Sequence, residues 1–371
     1  MNSRSHELDL GYIQRPYFQD KSSWRVRHDT LTPAVPQSGT GANSRQVRIG
    51  KAKTNVKSHV TILRRIASIG SSTRAMEMTG MPVDAQTATE QTKSLVIGGT
   101  GLVGGYIVQH LVGRGERPMV LSRSEQQDRP DIHWLVGDLK QPDTLNLPPF
   151  ATLYCTAYPA LLANALPRLL HPSLRRVIAF SSTSVITKQE TEIAAEREIV
   201  RQLADAERTI ASECEQRNVG WTILRPTLIY GEGRDSNITP LSRLIRRFGF
   251  MPLVGGAQGL RQPVHAEDLA VAAIAAAASP AAINNTYALP GAETLAYREM
   301  VGRIFDGLGR RRRTISVPSF LWRAGFPLAK PLFPEANVAM GIRMMKDMTF
   351  DAAPAVRDLG WKPRGFNPVF R

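Results

Sequence analysis

The sequence predicts an α/β fold: a doubly wound parallel sheet with a smaller, mostly helical C-terminal lobe. Three observations predict it. Apolar runs of four to eight residues begin at Ser94 and recur up to Ser184, each too short for a helix. The segments between them are long enough to carry crossover helices, which neighbouring parallel strands require. After Tyr230 the alternation is lost and helical patterns take over, at 240–248, 294–308, 319–327 and 336–348.

The first strand is Ser94-Leu95-Val96-Ile97. It runs into Gly98-Gly99-Thr100-Gly101-Leu102-Val103-Gly104-Gly105, then into an amphipathic helix from Tyr106 to Val112, closed by Gly113. Strand, glycine turn and helix form the context in which Gly-x-x-Gly-x-x-Gly binds a dinucleotide. Gly98 permits the turn, Gly101 lets a pyrophosphate approach the backbone, and Gly104 lets the helix pack close to the sheet. The helix start then aims amide donors and partial positive charge at the phosphates. The domain is therefore expected to be of Rossmann type.

The second strand, from Pro118 to Leu121, ends in Ser122-Arg123-Ser124. That end faces the adenosine ribose. An acidic residue there binds the 2′-hydroxyl of NAD, whereas a basic one accommodates a 2′-phosphate. Arg123 thus predicts NADP(H) in preference to NAD(H), although a strand-end arginine can also be merely solvated. Further strands are expected over 132–139, 151–157 and 176–184. Ligands collect at strand C-terminal ends, where Asp138, Thr156 and Ser182 fall.

Several later segments resemble the extended and atypical short-chain dehydrogenase/reductases, in particular the NAD(P)-dependent epimerase/dehydratase group acting on nucleotide sugars. The likeness runs over about 93–371. Besides the glycine turn, Asp138-Leu139 looks like the adenine-binding pair, and Phe180-Ser181-Ser182-Thr183-Ser184-Val185 resembles the strand bearing the catalytic Ser/Thr, at Ser182. Leu224-Arg225-Pro226-x-x-x-Tyr230-Gly231 resembles the segment passing the nicotinamide. Arg261-x-x-x-His265-x-x-Asp268-Leu269-Ala270 resembles the one whose arginine meets substrate phosphates. Leu359-Gly360-Trp361-Lys362-Pro363 looks like the closing segment. The likeness implies a cofactor site of Gly98, Thr100, Gly101, Leu102, Val103, Gly104, Arg123, Asp138, Leu139, Thr156, Ala157 and Pro226.

The departure is equally specific. The family's proton chemistry uses Tyr-x-x-x-Lys on the helix after strand five. Here that helix, 192–207, holds no tyrosine and no lysine; aligned on Glu207, Ile199 and Leu203 occupy the two places. Lys188, Tyr230 and Tyr158 are candidate substitutes, each with a packing or surface role as the alternative. His265 is expected to be structural. In the lobe, Arg234 and Asn237 are candidate substrate contacts, Asn237 being also a candidate helix cap. Arg225 and Arg261 suit anionic groups through bidentate contact, or structural ion pairs. Asp268 is expected to cap its own helix, and 269–278 to be a buried helix.

The chain has 371 residues, 42% of them hydrophobic, ample for a core. The net charge of +15 is spread along it. Residues 1–92 carry 13 Lys/Arg against 7 Asp/Glu, a surplus of 6. No aromatic-interleaved basic motif accompanies the charge, so nucleic acid is not the expected partner. Two distant cysteines, Cys155 and Cys214, make neither a disulfide framework nor a metal site. No apolar run reaches transmembrane length, and a cytoplasmic setting is expected. Residues 1–60 are rich in Ser, Thr, Gln, Arg, Pro and Gly, and the segment 1–92 is expected to be disordered, with a short basic helix over 58–76 or a flexible tail contacting a partner, or to precede a true start at Met76, Met78 or Met81. Acids at Glu7, Asp9, Asp20 and Asp29 argue against an organelle transit segment. The expected division is a Rossmann domain over 93–230 and a substrate lobe with returning sheet elements over 231–371.

The functional expectation is an NADP(H)-dependent oxidoreductase, epimerase or dehydratase for a nucleotide-sugar-like small molecule, with Ser182 holding the reacting oxygen. A reductase for another small carbonyl compound shares the same fold. The missing pair keeps a different class open: a catalytically silent NADP(H)-binding sensor, assembly factor or structural subunit.

Overall fold

Seven strands pair in parallel to form the main sheet: β1 (Ser94–Ile97), β2 (Met119–Ser122), β3 (His133–Val136), β4 (Thr152–Cys155), β5 (Arg176–Phe180), β6 (Gly220–Pro226) and β11 (Asn285–Leu289). Their spatial order is β3-β2-β1-β4-β5-β6-β11. The computed structural model describes residues 94–371 except 189, 190, 192, 232, 330–337 and 371. The segment 1–92, including the helix expected over 58–76, lies outside the described residues.

Both faces of the sheet are covered, which is why its strands read as apolar runs rather than alternating ones. Every residue of β1, β2 and β5 is buried. Alternate side chains go to opposite layers. Leu95 and Ile97 pack with α2 (Pro159–Leu169) and α4 (Ala194–Glu215). Val96 packs on the other side with α1 (Leu102–Gly113), α6 (Ala266–Ala278) and α10 (Ala353–Leu359). The alanine-rich α6 is the buried helix the sequence predicts, and its small side chains let it lie against α1. The short α3 (Ser184–Thr187) leads from β5 towards α4.

The lobe is held by helices and three small strand pairs. β7 (Ile229–Tyr230) pairs with β10 (Val264–His265), β8 (Met251–Val254) with β13 (Thr314–Val317), and β9 (Leu260–Arg261) with β12 (Leu295–Ala296). The helices are α5 (Ile238–Phe248), α7 (Tyr297–Gly307), α8 (Ser319–Ala329) and α9 (Val338–Arg343). Ile245, Leu253, Ile304, Phe305 and Phe366 centre a separate apolar core.

Two helices are shorter than their patterns suggest. The one expected over 294–308 starts at Tyr297, because Leu295 and Ala296 extend to pair with β9. The one expected over 336–348 is described only as Val338–Arg343. Beyond it the amides of Met344, Met345 and Lys346 bond to carbonyls three residues back, which tightens the chain out of α-helical geometry.

Candidate functional site

The glycine turn stands at the C-terminal end of β1, beside the point where strand order reverses between β1 and β4. Gly98 has φ +84°, in the region that favours glycine. Its carbonyl accepts from Gly101 N at 2.9 Å, which closes the turn. A Cβ on Gly104 would lie 2.7 Å from the Gly98 carbonyl carbon and closer still to its oxygen. Only a glycine there lets α1 approach the turn.

The start of α1 has no side-chain cap at Gly101 and no acidic residue in its first turn. Its leading amides therefore lack intrahelical acceptors, and no carboxylate offsets the dipole. A bare glycine cradle under a positive helix end fits a pyrophosphate.

The other predicted cofactor residues surround this turn in different roles. Thr156, just past β4, donates from Oγ1 to the carbonyls of Ile97 (3.3 Å) and Gly98 (3.2 Å), so it braces the turn. Ala157 follows it, half-buried. Arg123 is exposed past the end of β2. Next to it, Ser122 Oγ accepts from Ser124 N and Gln126 Nε2, ordering that strand end. The Asp138 carboxylate accepts from Lys140 N at 3.0 Å, and Leu139 is buried. The Pro226 carbonyl accepts both Thr183 N (3.2 Å) and Thr183 Oγ1 (3.1 Å), joining the ends of β5 and β6.

Ser182 lies between β5 and α3, with its Oγ 3.0 Å from Ser184 Oγ and accepting from Ser184 N. The neighbouring Ser181 Oγ is buried with no hydrogen-bond partner among the described residues. On α4, Leu203 is buried and Ile199 half-buried, and neither side chain can move a proton.

The three candidate substitutes have distinct surroundings. Tyr158 contacts Gln202 Oε1 at 3.5 Å, one residue from Leu203, and burial raises its pKa. Lys188 ends α3. Burial and then the Arg343 charge lower its pKa, while Glu196 raises it. Tyr230 is a correction. It is buried, donates to the Gly365 carbonyl at 3.2 Å, and meets His265 and Phe366 edge-on. Its hydroxyl is taken up in anchoring the C-terminal segment.

Arg225 and several polar lobe residues take structural roles. Arg225 forms a bidentate pair with the buried Glu207 of α4, with Nε donating to Oε1 at 3.0 Å, so it is an ion pair rather than an anion contact. Arg261 is buried. Its donors go to the carbonyls of Leu260, Arg343 and Lys346, and its guanidinium lies over the Tyr297 ring. The groups expected to meet substrate phosphates thus tie β9 to the chain after α9.

Arg234 reaches back to the Thr100 carbonyl at 3.4 Å, which puts it over the glycine turn. Asn237 makes no side-chain cap. Its Nδ2 donates to Ile229 O, and the capping falls to Asp235, which accepts from the amides of Asn237, Ile238 and Thr239. At α6 the cap is His265 Nδ1, accepting from Glu267 N. Asp268 instead receives Arg364 N and Nε, both at 2.8 Å.

One pairing near the site was missed. Glu196 on α4 holds Arg343 of α9 at 2.7 Å, 147 residues away, and no local signal could have linked them. Both cysteines are buried and free. Desolvation pushes each thiol up to about 12, so neither is a thiolate nucleophile at neutral pH. Among the described residues no group of three or more His, Cys, Asp or Glu gathers, and no helix is long and apolar enough to cross a membrane.

No protein-family profile matches the chain. It is similar to the NADH dehydrogenase [ubiquinone] 1 alpha subcomplex subunit 9 of Arabidopsis thaliana, mitochondrial, at 27% identity over 141 residues, 38% of this chain and 32% of that protein. It is also similar to the UDP-glucose 4-epimerase of Vibrio cholerae, at 23% identity over 160 residues, 43% of this chain and 47% of that protein. The chain thus spans less than half the length of these curated relatives. Among solved structures it is similar to the Bacillus cereus UDP-glucuronic acid 4-epimerase in complex with UDP-glucuronic acid and NAD. The TM-score is 0.56 at 12% identity, over 74% of this chain and 95% of that one, a likeness of fold. By fold, strand order and glycine turn the chain is similar to these NAD-bound epimerase structures, and its α4 holds neither a tyrosine nor a lysine.

Proposed function

We propose that the chain binds NADP(H), in preference to NAD(H), on its glycine turn and acts as an epimerase-like oxidoreductase on a nucleotide sugar or a related small molecule. The observation that carries this is the open glycine cradle under an uncapped helix start that has no acidic residue. When bound, the dinucleotide supplies hydride transfer. Around it, Arg123 is positioned by sequence for the 2′-phosphate. Arg234, over the Thr100 carbonyl, is better placed for the pyrophosphate than for a distant substrate group. Ser182 would hold the reacting oxygen with its hydroxyl. Lys188, whose pKa is lowered by burial and by the Arg343 charge, is the candidate for exchanging a proton.

A second reading is favoured by one observation: positions 199 and 203 are isoleucine and leucine. In that reading the chain is a catalytically silent NADP(H)-binding subunit, as a relative named as a subunit of a larger assembly also suggests.

Both readings meet in one experiment. Fluorescence titration of the full chain is expected to show NADPH binding about 10-fold or more tighter than NADH, the order of one charged hydrogen bond, with the gap closed by Arg123→Ala. Equal affinities in the parent would remove the NADP(H) preference, and no binding of either would remove the proposal. With NADP(H) bound, turnover of uridine- or thymidine-linked sugars that Ser182→Ala abolishes supports the enzyme. Tight binding with no turnover across the panel supports the silent subunit.

A further inference from the structure

Two stretches of the lobe carry positive charge with no acid at all. Residues 236–266 hold Arg243, Arg246, Arg247 and Arg261 and neither Asp nor Glu. Residues 307–334 hold Arg310 to Arg313, Arg323 and Lys330, again without Asp or Glu. They are far apart in sequence, and the fold joins them. β8 and β13 pair in parallel, with Met251 opposite Thr314, and Met251 N bonds to Arg313 O. Arg310 Nη1 donates to the carbonyls of Ile245 and Arg246 at the end of α5 (3.0 and 3.1 Å). This contact draws one arginine run onto the other.

Arg243, Arg246, Arg247, Arg310, Arg311 and Arg313 are all exposed on this edge. Arg312 is the exception in kind, since Glu299 and Asp306 hold it. Like charges gathered this way repel one another, and no carboxylate within the two stretches relieves them.

The same edge presents apolar side chains to water. Phe250 is 38% exposed, Ile315 52%, Phe320 68% and Leu321 51%. Phe250 directly precedes β8, Ile315 lies opposite Pro252 in the ladder, and Phe320 and Leu321 open α8. Among the described residues, the exposed phenylalanines are these two. Single exposed apolar residues need no explanation, but these follow one another along the β8–β13 pair, from Phe250 beside Arg313 at its start to Phe320 and Leu321 past its end.

We propose that this edge, formed by α5, the β8–β13 pair and the start of α8, docks on an anionic lipid bilayer surface. Arginines gain from acidic headgroups, and phenylalanine and leucine gain from the acyl boundary just below them. A nucleic acid would satisfy the arginines and stack at most on a phenylalanine, offering nothing to Ile315 and Leu321. The combination of charge with bulky apolar groups therefore points to lipid. The proposal does not depend on the function assigned to the glycine turn.

The test is flotation of the full chain with vesicles of phosphatidylcholine alone and of phosphatidylcholine containing about 30 mol% phosphatidylglycerol. Binding to the acidic vesicles only is expected. R246E/R247E should lower it about 10-fold or more, and F320S/L321S should lower it by a similar factor. An unchanged thermal midpoint would show that both variants are folded. Four outcomes overturn the proposal. They are no flotation with either vesicle, equal flotation with both, binding undiminished by both variants (which would place it in the basic residues 1–92), and complete displacement by single-stranded RNA with F320S/L321S without effect.

Discussion

Gly104→Ala is expected to weaken NADPH binding about 100-fold or more and to destabilise the unliganded chain by about 1–3 kcal/mol, the range for overpacking a filled site. The new methyl would sit 2.7 Å from the Gly98 carbonyl carbon and 3.0 Å from Gly99 Cα. Both obstacles are backbone, so no side chain can swing aside. Relief requires α1 to move off the turn or the turn to open. Either movement takes the first amides of α1 away from the place where they converge. The loss should therefore fall harder on the ligand than on the fold. Gly113→Ala is the control: nothing lies within 4 Å of its added Cβ, and its φ is not positive. It should leave binding unchanged and raise stability by up to about 1 kcal/mol, since alanine suits a helix better. Fluorescence titration and urea unfolding read the two effects. A Gly104→Ala chain binding NADPH within about threefold of the parent would show that the cradle is not where phosphates sit.

The second large effect lies at Arg225 and Glu207. The Glu207 side chain is 7% exposed and that of Arg225 23%. Removing Arg225 by Arg225→Met strands a buried carboxylate, and a loss of about 3–5 kcal/mol is expected. Glu207→Leu should cost less, because the guanidinium left behind has an edge to water. The double variant should be more stable than Arg225→Met alone, since no unpaired charge then stays inside. Urea unfolding of the four chains measures the coupling. A loss below about 1 kcal/mol for Arg225→Met would mean that the pair behaves as a surface contact.

These two sites show what could be read in advance. The turn at Gly98 and the close packing at Gly104 were legible because each is set within one turn of chain, and the apolar runs of β1, β2 and β5 because both their faces are covered. Arg225 was equally visible as a cation, but its partner was not. Glu207 is 18 residues away on another element, and Arg261 finds its carbonyls 82 and 85 residues on. A side chain's chemistry is written locally, while the partner that satisfies it is chosen by tertiary approach. Strands such as β7, β10 and β12 escaped for a related reason. Two residues are too few to display a period, and only the pairing partner makes them strands. Asn237 holds the N-cap position of α5, but the side chain that accepts the leading amides is that of Asp235, which is as good a cap by type. Backbone direction decided between them.

β11 has a consequence for how the chain is made. It comes from the second half of the sequence yet occupies an edge of the main sheet beside β6, in register from Asn285 opposite Thr222 to Leu289 opposite Pro226. Until residue 289 has left the ribosome, β6 has one side unpaired along its whole length, with Ile223 and Leu224 already apolar and extended. A nascent chain paused near residue 230 would hold a nearly finished sheet whose open edge could recruit another copy. Translation thus leaves β6 uncovered until a strand made some sixty residues later pairs with it, and β11 then becomes the edge in its place.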